Sequence, residues 1–414
     1  MPIQLSPDQE NAVTLFLEFL RDPEKNELAL IGGAGTGKSY ITKHLVDMMT
    51  KKDEMFDLIM GTDLKLPIYF TATTNKAAAV LENMVHRETT TIHALFGLRV
   101  NNNYDTGEVD LIRGKDYKQV RKSLILIDEA SMIHQELLDE IRASTFNCKI
   151  LYIGDATQLT PVKKKTCPAL DIPDKIRLVT PHRQNEDSPI LSIARQFRQA
   201  VQTDHFPKLE SMSPDVHLLN AKDFEAQIRS SFLSGIDTKI ITWTNDKTND
   251  YNGYIRNLLG HPRVCAPGEW LVANSPIIVN KKIMCKTDAL VKVTAVHPAT
   301  LHGLDGSEIE IGGRYRVFLP HNQKQAKQIV NSYKKAKKWA DFFKYKELFV
   351  DLRPSYSSTI FKIQGATHHT VFVDVSDIGK STHNNQIARM MHVACSRPTN
   401  KLYLHGSLPN RLYE

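Results

Sequence analysis

The chain has 414 residues, two to three times a typical domain of about 150, which excludes a peptide or a single small module. Hydrophobic residues make up 41% and charged residues 24%, and Lys+Arg 53 against Asp+Glu 46 leaves a surplus of +7. These are ordinary globular values, and the mild basicity admits a nucleic-acid partner without proving one. Cys148, Cys167, Cys265, Cys285 and Cys395 form no CxxC and no zinc spacing, so they read as reduced thiols. The opening MPIQLSPDQEN has neither a basic nor an apolar leader region, and no apolar run reaches the about 18 residues of a membrane span. The expectation is a multidomain protein of the cytoplasm with no membrane segment.

In chain order, apolar Ala12, Leu15, Phe16 and Phe19 predict a helix over 7–21. Glu27–Gly32 is a buried-strand pattern running into a glycine loop, and 39–50 follows as a helix. Further strands are expected at Ile68–Ala72, Leu124–Asp128, Lys149–Gly154, Lys239–Thr244, Thr370–Val375 and Lys401–His405. Strands alternating with helices argue for parallel α/β sheets. Two stretches break the rhythm. Residues 98–121, with Asn-Asn-Asn and Asp-Thr-Gly turn signals, predict a small hairpin insertion. Residues 261–350 begin as short strands between Gly/Pro turns and end in a helix whose apolar stripe is Ile329, Tyr333, Ala336, Ala340 and Phe343.

The clearest chemistry is GGAGTGKS at Gly32–Ser39, which fits the P-loop pattern GxxxxGK[ST] with a strand before it and a helix after. Glycines let backbone N–H groups curl around phosphate oxygens, and the helix turns its positive end to the same anion. Lys38 is then placed for the β/γ-phosphates and Ser39 for Mg²⁺. LILIDEAS at Leu124–Ser131 puts Asp128 and Glu129 at a strand's C-terminal end, where α/β folds bind ligands. There Asp128 suits the magnesium shell and Glu129 the attacking water. A third strand tip, Gly154–Gln158, offers Gln158 to the γ-phosphate or the lytic water. Three polar tips beside a P-loop describe a nucleotide hydrolase.

The order of these fragments resembles superfamily 1 DNA helicases, in particular the RecD-like B subclass and the compact phage-encoded Dda helicases. The resemblance covers most of the chain outside 98–121 and 261–350. SPDQENAV at Ser6–Val13 is similar to the Q motif, with Gln9 on the adenine. TATTNKAA at Thr71–Ala78, TIHALFG at Thr91–Gly97, GDATQLTPV at Gly154–Val162 and LVTPHRQ at Leu178–Gln184 resemble motifs Ia, Ib, III and IV. WTNDKTNDYN at Trp243–Asn252 matches the opening of the second RecA-like domain. SSTIFKIQGATHHTVFVD at Ser357–Asp374 and HVACSRPTNKLYL at His392–Leu404 resemble motifs V and VI. The pattern departs at Thr73 (for proline), Thr160, Phe361 (for histidine), Ile363 (for alanine), His392 (for an aromatic) and Ser396 (for threonine).

The resemblance implies an α/β fold of two RecA-like P-loop domains, with a small hairpin (pin) insertion and an SH3-like β accessory module. The implied domains are 1–97 with 122–180 (1A), 98–121 (1B), 181–260 with 351–414 (2A), and 261–350 (2B). Tyr104 and Val109 are the candidate pin tips. The implied activity is ATP hydrolysis coupled to 5′→3′ translocation on single-stranded DNA and duplex unwinding, in replication, recombination or repair. The alternative is a nucleic-acid-stimulated ATPase or switch that separates no strands. ATP and Mg²⁺ are the implied cofactors. Gly33, Ala34, Gly35, Thr36, Gly37, Lys38, Ser39, Gln364 and Gly365 would line the nucleotide, Ser39 and Asp128 the metal, and Arg183 and Arg397 would be arginine fingers. Thr74, His93, Thr359 and Lys362 would hold the DNA backbone. Further implications are a monomer acting on single strands and forks, a phage origin with action in the host cytoplasm, and a single-strand-binding protein or replisome component as candidate partner. Residues 324–353 carry nine Lys/Arg among the aromatics Tyr333, Trp339, Phe342, Phe343 and Tyr345. That composition suits either a solvated amphipathic helix or a base-stacking surface.

Overall fold

The apolar runs become parallel strands in the computed structural model, which describes residues 5–33, 35–50, 66–102, 109–159, 167–180, 188–261, 265–279 and 282–413. Ala34, Tyr104, Thr160 and Arg183 lie outside the described residues. The chain forms two units, 1–208 with 381–396 and 410–414, and 209–380 with 397–409.

The first unit is built on six strands in the order Lys175–Leu178, Glu27–Gly32, Lys149–Gly154, Leu124–Asp128, Ile68–Ala72 and Thr89–Thr91, all parallel. Both faces of this sheet are covered, which is why its strands read as unbroken apolar runs. Ala29, Ile31, Ile125, Ile127, Ile150 and Tyr152 enter one core, beside Leu137, Leu138 and Ile141 of the helix Gln135–Ala143. Their sequence neighbours Leu28, Leu30, Leu124, Leu126, Leu151 and Ile153 enter the opposite core. There the helices Pro7–Arg21, Lys38–Thr50 and Asn75–Val85 supply Phe16, Phe19, Ile41, Leu45 and Leu81. Each such side chain contributes about 1.5–3 kcal/mol by leaving water, so alternation along the strand fixes which side chain faces which core. The hairpin expected within 98–121 is present as Leu98–Asn102 against Val109–Arg113. The helix Asn384–Cys395, from the far end of the sequence, also belongs to this unit, packed against Pro189–Thr203.

The second unit has a parallel sheet in the order Val216–Leu219, Pro398–His405, His368–Asp374, Thr238–Thr242 and Ser357–Thr359. Residues 265–354 add a separate antiparallel sheet: Tyr315–Pro320, Leu304–Ile311, Leu290–Leu301, Trp270–Ala273 and Leu352–Pro354. The buried Arg256–Glu269 ion pair ties the helix Asn245–Leu258 to the start of that sheet. Glu269 also accepts the Ala266 amide at 3.0 Å and the Tyr356 hydroxyl at 3.2 Å.

One expected element divides. The stripe from Ile329 to Phe343 is carried by two helices, Gln323–Lys335 and Trp339–Leu348. Lys337 takes the left-handed region at φ 55, the Lys338 amide donates to Tyr333 O at 3.0 Å, and the Lys337 amide donates to Lys334 O at 3.1 Å. Those are the two bonds of a Schellman stop, made here without the usual glycine. Among the described residues, no helix is long and apolar enough to cross a membrane.

Candidate nucleotide and nucleic-acid site

Because the first sheet is parallel, its strands end on one edge, and adjacent tips bring distant sequence together. The tips of Glu27–Gly32, Lys149–Gly154, Leu124–Asp128 and Ile68–Ala72 stand in that order. They carry the glycine loop, Asp155 to Gln158, Asp128 with Glu129, and Thr73 with Thr74.

In the glycine loop, Gly35 and Gly37 both have φ 81, a region that L side chains rarely enter. The Thr36 hydroxyl donates to Gly33 O at 2.9 Å. Lys38 Nζ donates to Gly32 O at 2.7 Å and Gly33 O at 3.0 Å, so the ammonium is held over the loop by its own carbonyls. A Cβ at Gly33 would collide with the Arg198 guanidinium, which lies directly on the loop. Arg198 comes from the helix Pro189–Thr203 and was not flagged in the sequence: one arginine on an amphipathic helix carries no signal. Ser39 is exposed at the first turn of the following helix.

Burial pushes the Asp128 carboxyl up, against the Glu129 amide that donates to its Oδ1 at 2.9 Å and the charge of Lys38. Glu129 itself is left-handed at φ 53, a strained backbone directly after the Asp128 strand tip. Its carbonyl accepts the Thr73 hydroxyl at 3.2 Å, so the residue that stands where the motif has proline fastens the strained turn.

Asp155 is 1% exposed. Its Oδ1 accepts the Thr157 amide at 2.9 Å and the Thr157 hydroxyl at 2.6 Å. Oδ2 lies 3.7 Å from His392 Nε2, an ion-pair distance too long for a hydrogen bond. Burial alone would raise this carboxyl, but His392, Lys38 and Thr157 together bring it well below the usual carboxylate range. The other ring nitrogen of His392 lies 2.9 Å from Ala194 O, and because a carbonyl only accepts, Nδ1 carries the hydrogen. One turn earlier on the same helix, Arg389 Nη1 donates to Ala156 O at 2.8 Å and Gln158 O at 2.6 Å. The helix Asn384–Cys395 therefore clamps the Asp155–Gln158 loop at both ends. Gln158 is 7% exposed, and its Oε1 has no hydrogen-bond partner among the described residues.

Asp155, Arg389 and His392 were absent from the expected site. An acid following an apolar strand is the signal that marked Asp128, and it marks Asp155 equally. The clamp has no sequence signal, since its partners are more than 230 residues apart.

Gln9 is buried, with its Oε1 accepting the Ser6 amide at 3.2 Å, and Asp8 beside it accepts the Val179 and Thr180 amides at 2.9 and 3.0 Å. The Thr74 hydroxyl caps the helix Asn75–Val85 by accepting the Ala77 amide at 3.1 Å. His93 is half-buried, and burial together with nearby His134 lowers its ring from the usual histidine value. In the second unit, Gly365 has φ 72, and Arg397 Nη1 donates at 3.3 Å to the carbonyl of Ala366, the residue that follows Gln364 and Gly365. Thr359 is buried at its strand's end, while Lys362 is exposed and bonded to Asn274 Oδ1 at 2.9 Å, with Asp288 at 3.7 Å.

A family profile described as an AAA domain matches residues 20–164, the part of the chain holding the glycine loop and the Asp128 tip. The ATP-dependent DNA helicase Dda of Enterobacteria phage T4 is 25% identical over 67% of this chain and 63% of its own length. The similarity is to an ATP-dependent DNA helicase, in line with the resemblance carried by the motifs. It also aligns at 23% identity, over 95% of the chain and 98% of the relative, with an uncharacterized protein of Acanthamoeba polyphaga mimivirus. The fold of this chain is similar to that of Pif1 in a structure of two coordinating Pif1 helicases unwinding forked duplex DNA. The TM-score there is 0.53 at 15% identity, over 100% of this chain and 94% of the other. The two-domain RecA-like α/β architecture expected from the sequence is thus the one observed.

Proposed function

We propose that the chain is an ATP-driven DNA helicase that steps 5′→3′ along single-stranded DNA and opens duplexes in replication, recombination or repair. One observation supports this most: Lys38, Asp128 and Asp155 share one sheet edge, where the charge of Lys38 bears on both carboxylates and the buried Gln158 Oε1 stands ready to accept. A static nucleotide store needs the glycine loop but not a buried amide with an unpartnered oxygen after the adjoining strand.

In this reading Gly33–Ser39, including Ala34, Gly35, Thr36 and Gly37, cradle the phosphates of ATP. Gln9 takes the adenine, with Nε2 left to donate, and Gln364 and Gly365 complete the nucleotide contacts. Glu129 polarises the attacking water and Gln158 orients it. Lys38, Arg183 and Arg397 stabilise charge on the transferring phosphoryl group. Mg²⁺ fits the oxygen donors present: the Ser39 hydroxyl is exposed, and one Asp128 oxygen is committed to the Glu129 amide while the other remains. That ion would neutralise phosphate charge. Thr74, His93, Thr359 and Lys362 contact the DNA backbone without reading bases, which permits stepping. By the resemblance we assign 1–97 with 122–180, 98–121, 181–260 with 351–414, and 261–350 as domains 1A, 1B, 2A and an SH3-like 2B; the helices Pro189–Thr203 and Asn384–Cys395, which this scheme gives to 2A, group with the first unit. The protein would act as a monomer in the cytoplasm.

The test is unwinding of two partial duplexes, one with a 5′ tail and one with a 3′ tail, with ATP turnover followed in the same tubes at a stated salt concentration. Opening of the 5′-tailed substrate alone is expected. Opening from the 3′ tail alone refutes the polarity, and DNA-stimulated turnover with neither duplex opened refutes strand separation.

A further inference from the structure

The two helices Gln323–Lys335 and Trp339–Leu348 form a helical hairpin between the strands Tyr315–Pro320 and Leu352–Pro354 of the antiparallel sheet. Its apolar seam is already filled. Ala326 is buried, and Ile329, Leu348 and Phe349 pack with it against Leu304 and Phe318. Tyr345 is buried and bonded to His302, and Tyr333 stacks on it with ring centroids 5.1 Å apart. A solvated amphipathic hairpin needs no more than this.

Two further aromatics nevertheless point outward. Trp339 is 51% exposed and Phe343 is 55% exposed. Spaced i, i+4, they share one face of the second helix. Beside them, at the hairpin's turn, Lys334, Lys335, Lys337 and Lys338 are all exposed. The acids of the second helix, Asp341 and Glu347, are half-buried. Exposed aromatic rings cost free energy in water, and four adjacent like charges repel. Both costs are relieved by one kind of partner: a polyanion whose bases present flat apolar faces. A duplex offers phosphates but keeps its bases stacked, whereas a single strand offers both.

We infer that the turn and outer face of this hairpin form a second binding surface for single-stranded DNA, separate from the strand contacts assigned to Thr74, His93, Thr359 and Lys362. The inference rests on the helicase reading above and deepens it. Bases stack on Trp339 and Phe343 while the four lysines take phosphates. The surface reads no sequence, because every base has a π-face, and it weakens with salt.

The experiment uses the full chain, a fluorescent oligothymidylate and a blunt duplex as probes. The double variant Trp339→Ala, Phe343→Ala is expected to bind the oligothymidylate about tenfold more weakly, as loss of stacking predicts. Its DNA-stimulated ATP turnover at saturating DNA should stay at the wild-type level. Replacing Lys334 and Lys335 by alanine should reduce the salt slope of binding by about one. The chain has three tryptophans, Trp243, Trp270 and Trp339. With Trp243→Phe and Trp270→Phe, Trp339 emission reports the surface directly and should be quenched by oligothymidylate. Unchanged affinity in the double variant, or emission that does not respond while the protein binds DNA, overturns the surface. Equal weakening for the blunt duplex overturns the single-strand assignment. Failure of the helicase reading looks different: the wild-type chain would then show no DNA-stimulated turnover at all.

Discussion

Lys38 and Asp128 are held in opposite electrostatic senses, and their substitutions should part accordingly. The Lys38 ammonium is solvated by two carbonyls of its own loop, so Lys38→Ala removes the phosphate cation without leaving a buried charge. ATP turnover should vanish in steady-state assays while oligonucleotide binding persists, and near-normal turnover would refute the P-loop assignment. Asp128 is a carboxylate whose ionisation burial opposes. If Asp128 holds the metal as proposed, Asp128→Asn should abolish turnover yet raise the thermal midpoint, the usual opposition between activity and stability. His392 behaves in a third way. His392→Phe deletes the ring that faces Asp155 and the bond to Ala194 O. Stranding that buried carboxylate should cost about 1–3 kcal/mol in urea unfolding. The sequence displayed Lys38 through the GxxxxGK[ST] pattern between a strand and a helix, and Asp128 and Glu129 because they sit where an apolar strand stops. It could not display the roles of Arg198, Arg389 and His392, whose partners are set by helix packing and lie far away along the chain.

At the scale of elements, burial decides which ion pairs matter. Arg256 and Glu269 are a buried pair joining the helix Asn245–Leu258 to the antiparallel sheet. Arg316 and Glu308, 3.4 Å apart, are largely exposed. Glu269→Ala should destabilise the second unit by about 3–5 kcal/mol, because Arg256 is left charged in the interior. Glu308→Ala should cost at most about 1 kcal/mol. Chemical denaturation of the two variants side by side checks the contrast. Long elements were legible for the same reason that they are stable. Leu124–Asp128 and Lys149–Gly154 are apolar throughout because both faces of their sheet are covered. Thr89–Thr91, Ser357–Thr359 and Lys175–Leu178 are three or four residues long, at sheet margins, and too short to show a period. The division of the 323–348 helix was invisible because its stop uses Lys337, a residue that ordinarily favours helix continuation.

For the whole molecule, the carboxylates predict an acid limit to stability. Asp8 is subject to burial, which raises it, but Ser6 and the Thr180 and Val179 amides bring it to about 2. Asp155, Asp351 and Asp377 are likewise held below the usual value. A carboxyl whose folded value is depressed stabilises the fold fully above its unfolded value and loses that contribution as pH falls. Stability should hold above about pH 4 and decline steadily toward pH 2, which urea midpoints measured across that range would show. The chain passes between its two units at 208/209, 380/381, 396/397 and 409/410. Sequence order therefore does not separate the halves. A fragment ending at residue 208 would keep every residue of the first parallel sheet and lose Arg389 and His392, the side chains that hold the Asp155–Gln158 loop. No single cut yields two intact units, so in evolution neither half could have been exchanged as a cassette by a single crossover. The accessory sheet, continuous in sequence from 265 to 354, is under no such restraint. Variation in length among relatives should collect there.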